Sequence, residues 1–150
     1  MNRNKTIIIG IGNSGRQDDG LGWLFLDFLK EEGFKNIDLE YRYQLQIEDA
    51  ELISHYDTVV FVDASKEITK NGYYYKVCKS SNKHSFSTHE LVPETILYLA
   101  EDLYNKKPDA HILGIQGYKW ELQMGLSKVA KNNFQVAKAF FKEKIAKSSV

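Results

Sequence analysis

Two short runs constrain this chain more than any other feature. Ile7-Ile8-Ile9 and Val59-Val60-Phe61-Val62 are continuous stretches of β-branched and aromatic residues, without the polar alternation of a half-solvated strand. Runs of this kind belong to strands buried on both faces, and such strands sit in parallel sheets covered by helices. The intervening pattern agrees. The first strand is expected over Lys5 to Gly10, followed by a helix over Asp19 to Glu32 with Leu21, Leu24, Phe25 and Phe28 on one face and Gly33 as its stop. A second strand spans Ile37 to Tyr43, a short helix Glu48 to His55, and a third strand Thr58 to Val62, ending in Asp63. Gly72 to Lys79 is a further strand. The Asn71-Gly72 turn signal before it favours an antiparallel or edge position. Glu90 to Tyr104 reads as a helix that tolerates Pro93 only in its first turn, and Asp109 to Gln116 as a strand. The last helix runs from Ser127, its N-cap, to Ala146, with Phe134, Ala137, Phe141 and Ile145 inward.

This β-α alternation predicts an α/β fold, a three-layer α/β/α sandwich with a mostly parallel sheet of about five strands and helices on both faces. At 150 residues with 43% hydrophobic content, one core and one domain covering 1–150 are expected. Twenty Lys+Arg balance twenty Asp+Glu, which gives no electrostatic case for nucleic acid or an anionic membrane. No signal-peptide layout and no long apolar span stand in the sequence, so a soluble, cytoplasmic protein without membrane insertion is expected. The single cysteine, Cys78, cannot form an internal disulfide and reads as packing rather than as a nucleophile.

The first strand opens into GIGNSGRQDDGLG, residues 10–22, which has the strand, glycine loop and helix order of a phosphate site. Asp18 and Asp19, however, stand where a phosphate would rest, and their charges would repel it. Sheets of the expected kind place their sites at the carboxyl ends of the strands, near a topological switch point. Asp19 after the first strand, Asp63 after the third and His89 in the polar loop before the next helix can meet there. Together they would form a mixed oxygen and nitrogen site for a divalent transition metal. Each also has a plainer reading. An Asp at a helix start caps it or complements its dipole, Asp63 can begin a turn, and His89 can be a polar residue at a helix N-terminus. His55, His84 and His111 have no matching context, and Ser14 lacks a nucleophile elbow.

GIGNSGRQDDGLG resembles the N-terminal signature of the NiFe-hydrogenase maturation endopeptidases, in which a Gly-x-Gly-Asn loop is followed by an acidic pair and a glycine. FVDA at 61–64, STHEL at 87–91, GIQG at 114–117 and GLS at 125–127 resemble further blocks of that family in the same order, over nearly the whole chain. The resemblance implies an endopeptidase that recognises nickel in the precursor of the hydrogenase large subunit and removes its C-terminal extension. It carries Asp19, Asp63 and His89 onto the metal-binding and catalytic positions, with nickel arriving with the substrate and other divalent transition metals able to bind in vitro. Gly12, Asn13 and Asp18 then belong to the substrate-binding loop. Many members have Glu at the position of Asp19. The segment YQLQIEDAEL resembles a separate branch, which gives Gln44 and Glu48 a role in substrate docking alongside their plain reading as a polar loop entering a short helix. Two other classes stay open at this point: a nickel-dependent assembly or sensing factor that binds the precursor without cutting it, and a nucleotide-binding α/β module.

Overall fold

The computed structural model describes residues 4–82 and 91–148. In chain order the elements are β1 (Thr6–Ile11), a 3-10 turn (Gln17–Gly20), α1 (Leu21–Glu32), β2 (Ile37–Arg42), α2 (Glu48–Ile53), β3 (Thr58–Ser65), β4 (Tyr73–Val77), α3 (Pro93–Tyr104), β5 (Asp109–Gln116) and α4 (Lys128–Ser148). The five strands form one sheet in the order β2-β1-β3-β5-β4, parallel throughout except for the antiparallel edge strand β4. This is the α/β architecture expected from the sequence.

The continuous apolar runs are explained by the two faces. Ile7, Ile9, Val59 and Phe61 pack with Ala50 and Ile53 of α2 and with Ile96 and Ala100 of α3. Their neighbours Ile8, Val60 and Val62 pack on the other face with Phe25 and Leu26 of α1 and Ala137 and Phe141 of α4. Each residue of a run thus lies under a helix whichever way it points, and burying each large side chain is worth about 1.5–3 kcal/mol.

The ends of the helices follow local chemistry. Gly33, at φ 67°, closes α1 by donating its N–H to Leu29 and Lys30 carbonyls. Pro93 opens α3, where its missing N–H leaves nothing unpaired. The Ala130 N–H donates to Ser127 Oγ at 3.3 Å, so Ser127 caps α4 as expected.

Several boundaries differ from the sequence reading by one or two residues, α1 among them, which begins at Leu21 after the 3-10 turn, and two differences bear on the site. β3 does not end at Asp63; it continues to Ser65, because its pairing with β1 stops at Gly10 opposite Val62 while its pairing with β5 runs on to Ser65 opposite Gln116. The apolar run therefore marks where β3 lies between two neighbours, not where it stops. The buried face of α1 also takes in Leu26 and Leu29, leaving Leu24 half-buried. Gly10 sets that rotation: a Cβ there would lie 2.8 Å from Leu26 Cδ1 and 2.7 Å from the Gly22 carbonyl.

Candidate functional site

β1 is flanked by β2 on one side and β3 on the other, so the carboxyl ends of β1 and β3 form the switch point of the sheet. Two glycines draw the first loop onto it. A Cβ on Gly12, whose φ is 145°, would lie 2.0 Å from the Asp19 carbonyl oxygen, so only glycine permits this crossing. Asn13 N–H then donates to that carbonyl at 3.0 Å, while Gly12 N–H donates to the Arg42 carbonyl at 2.9 Å. In the first turn of α1, Gly22 sits so close to the Ile11 and Val62 carbonyls that a Cβ would approach them to 2.5 and 2.7 Å. The 3-10 turn that carries Asp19 consequently packs against β3.

Asp63 is the next residue of β3 after Val62, half-buried and in register with Gly114 of β5. Tyr74 covers Gly114, where a Cβ would be 2.3 Å from its ring. Burial raises the Tyr74 hydroxyl above its ordinary pKa; the negative fields of Glu67, Asp63 and Glu94 add to this, against an opposing hydrogen bond with Ser65. The turn that carries Asp19 and the part of β3 that carries Asp63, remote in sequence, therefore lie next to each other beyond the last β1–β3 pair. His89 lies outside the described residues. Leu91, two residues on, forms an antiparallel bridge with Leu45 just beyond the carboxyl end of β2. Among the described residues no group of three His, Cys, Asp or Glu side chains is gathered tightly enough to hold a metal by itself.

The two acids of the pair stand in different surroundings, Asp18 buried and Asp19 half-buried. Asp18 is fully buried. Its carboxylate accepts the N–H groups of Tyr118 (2.7 Å), Lys119 (3.0 Å) and Ser127 (2.7 Å) and the Ser127 hydroxyl (2.7 Å). Burial pushes its pKa up, but the bonds from the Ser127 hydroxyl and the three amides outweigh burial and hold it below its ordinary value. Asp18 is thus a clamp that fastens the segment between β5 and α4 to the first loop. Gln17 reinforces it from a left-handed backbone position, φ 48°, with Oε1 accepting Glu121 N–H and its own N–H donating to Gln123 O. Sequence reasoning missed Gln17, because its partners are backbone groups about a hundred residues away.

The remaining expected residues lie around the same edge. Asn13 is half-buried and its Oδ1 accepts Gly15 N–H at 2.8 Å, which shapes the loop. Gln44 and Glu48 are exposed on the connection from β2 into α2. That connection is held by Arg42, whose guanidinium bonds Asp49 at 3.0–3.1 Å, with the Asp49 side chain only 2% exposed. Arg42 was also missed, although a charged residue at the end of a strand with an Asp seven residues later is a readable signal. The Arg42 carbonyl additionally accepts Trp23 Nε1–H at 2.9 Å.

A phosphate-binding loop is not what these glycines make. The N–H groups of Gly12, Asn13, Gly15, Arg16, Gln17, Asp18 and Asp19 all donate to oxygens of the protein itself, so no fan of amides is left for an anion. Cys78 is buried, and burial with the nearby Glu94 charge pushes its thiol up to about 12, which leaves it inert as a nucleophile. A cleft of about 600 Å³, lined among others by Ile8, Val60 and His111, opens at the opposite, amino edge of the sheet. It is remote from Asp19 and Asp63.

The fold is the one found in hydrogenase maturation proteases. It matches the hydrogenase maturating endopeptidase HybD from E. coli with a TM-score of 0.75 at 15% identity, over 96% of this chain and 93% of that one. The [NiFe] hydrogenase maturation protease HycI from Thermococcus kodakarensis KOD1 matches with a TM-score of 0.72 at 23% identity, over 93% and 91%. A hydrogenase 2 maturation peptidase from Thaumarchaeota archaeon SCGC_AB-539-E09 matches with 0.68 at 17%, over 95% and 98%. No protein-family model and no curated protein sequence matches the chain. Among the described residues, no helix is long and apolar enough to cross a membrane.

Proposed function

We propose that this chain is an endopeptidase of hydrogenase maturation, which removes the C-terminal extension of a NiFe-hydrogenase large-subunit precursor once nickel has been inserted. The observation that supports the reading is that the turn carrying Asp19 packs against β3, on which Asp63 follows the last residue paired with β1, in a fold shared with solved hydrogenase maturation proteases. Two carboxylates offer oxygen donors, and a neutral His89 imidazole adds the nitrogen that suits a borderline transition metal. In this reading nickel is part of the substrate, and the precursor's own ligands complete the set.

The chain's own contribution is placement. Gly12 and Gly22 bring the Asp19 turn onto the strand ends, and the Asp18 clamp keeps the turn from moving. A site held in this way orients a scissile peptide beside the metal, where one carboxylate can accept a proton from the attacking water. Bound nickel would polarise the peptide carbonyl or acidify that water.

The test is cleavage of a nickel-loaded precursor, followed by mass, with Asp19→Ala, Asp63→Ala and His89→Ala variants checked for folding. Loss of the extension only with nickel present, and loss of turnover in all three variants, is the expected result. Stoichiometric binding of the precursor with its mass unchanged would instead leave a non-proteolytic assembly factor. Calorimetric titration with nickel or cadmium, with and without a cysteine-containing precursor peptide, shows whether the metal site needs ligands from the substrate.

A further inference from the structure

We infer that the segment between β5 and α4 is the substrate-selecting prong of this site, with Leu122 and Met124 docking against an apolar patch with acidic neighbours on the folded protein substrate. The inference rests on the endopeptidase reading and adds the surface that chooses the partner. Leu122 and Met124 are 77% and 76% exposed, large apolar side chains held in water on a segment that is not loose. Its backbone is fastened at Tyr118, Lys119, Glu121, Gln123 and Ser127 to Asp18 and Gln17, the two residues that precede Asp19. A rigid mount under exposed apolar side chains lowers the ordering cost of association, which is how a small contact gains affinity.

The charge around the prong indicates what it meets. Along the sequence, Lys119, Lys128 and Lys131 stand on the segment or at the start of α4 against Glu121, and Lys66, next to Glu67, has its ammonium 5.2 Å from the centre of the Trp120 ring. The chain as a whole is neutral, so this excess is local and complements an acidic rim on the partner. On the β2 side, the connection after that strand presents Tyr43 and Ile47, 70% and 55% exposed, next to the acidic start of α2. β2 and β5 are three strand spacings apart, roughly 14 Å. β1, which leads to the Asp19 turn, and β3, which carries Asp63, lie between them, so the two exposed apolar pairs flank the candidate site.

The experiment compares wild type with a Leu122→Ser, Met124→Ser double variant, using nickel-loaded large-subunit precursor for both calorimetric binding and cleavage. Both side chains are exposed, so the thermal midpoint should be unchanged. The expected result is binding weakened ~10-fold or more, a matching rise in KM with kcat within about twofold, and affinity that falls with added salt. A double variant equal to wild type in binding and KM overturns the prong and leaves the endopeptidase reading intact. Wild-type binding that the double variant loses, with no cleavage by either, supports the prong and ends the endopeptidase reading. No binding by wild type removes both.

Discussion

The two edges of the sheet are built from similar residues and held by different physics. At the carboxyl edge, acids are buried and saturated: Asp18 accepts four hydrogen bonds from the segment before α4, and Asp49 pairs with Arg42 while accepting Gln46 N–H at 2.9 Å. At the amino edge, Asp57 accepts Lys5 N–H at 3.0 Å and pairs with Lys106 at 3.4 Å, and Tyr56 donates to Asp38 at 2.5 Å, all among exposed groups. Exposed pairs exchange easily with water and contribute little, whereas a buried acceptor that loses its role strands every donor aimed at it. The edge with saturated acids holds the loops of the candidate site, and the other edge closes the fold beside an open cleft. Position at the site thus comes from buried polar bonds, not from the number of polar bonds.

The strongest way to break this contrast is Asp18→Ala. It leaves three amides and a hydroxyl without their acceptor, at about 3 kcal/mol or more, which corresponds to a midpoint lowered by roughly 6–12 °C in a domain of this size. A thermal melt that moves by less than ~2 °C would mean that the clamp carries no weight. Precursor binding should fall with it, since the prong and the Asp19 turn are both fastened through Asp18.

A second measurement sharpens the same point through pH. The folded pKa of Asp18 is below its ordinary value, because the Ser127 and backbone bonds outweigh burial. Its stabilisation is therefore complete above the unfolded carboxyl value of about 3.9 and drains away as pH falls through the lower folded value. The melting difference between wild type and Asp18→Asn should stay constant from pH 7 to about 5 and close only in stronger acid. A difference that closes around pH 6 would assign the clamp to another group.

How much of this could be read in the sequence follows from where partners sit along the chain. Ile7-Ile8-Ile9 and Val59 to Val62 reported their burial directly, because burial on both faces leaves no polar alternation. Gly33, Pro93 and Ser127 reported helix ends, since capping is settled within a few residues. The β3 boundary was misread because β5, not the composition of β3, decides how far Asp63 to Ser65 stay paired. Asp18 and Asp19 look alike in sequence, yet one is sealed in the protein and the other is half-buried. What separates them is a set of backbone amides at 118, 119 and 127, which no side-chain pattern announces. Whether the amides of the glycine loop are free was hidden for the same reason, because it depends on Arg42, Lys119 and Gln123, all distant in sequence.

The smallest effect is expected at the amino edge, and its smallness is what gives the contrast its meaning. Asp57→Asn keeps an acceptor for Lys5 N–H and deletes the charge facing Lys106, in a side chain about half exposed to water. The backbone bonds from Asp57 N–H to the Lys5 carbonyl and from Asp109 N–H to the Asp57 carbonyl do not involve the side chain and should persist. The bonds from Lys5 N–H and Lys106 hold the Asp57 carboxyl below its ordinary pKa, but solvent around it screens that preference before it becomes stability. The melting midpoint and precursor cleavage should both stay at wild-type values, at low and at high salt. A clear loss of stability here would show that exposed ion pairs hold this sheet as firmly as the saturated acids do, and the distinction between the two edges would then fail.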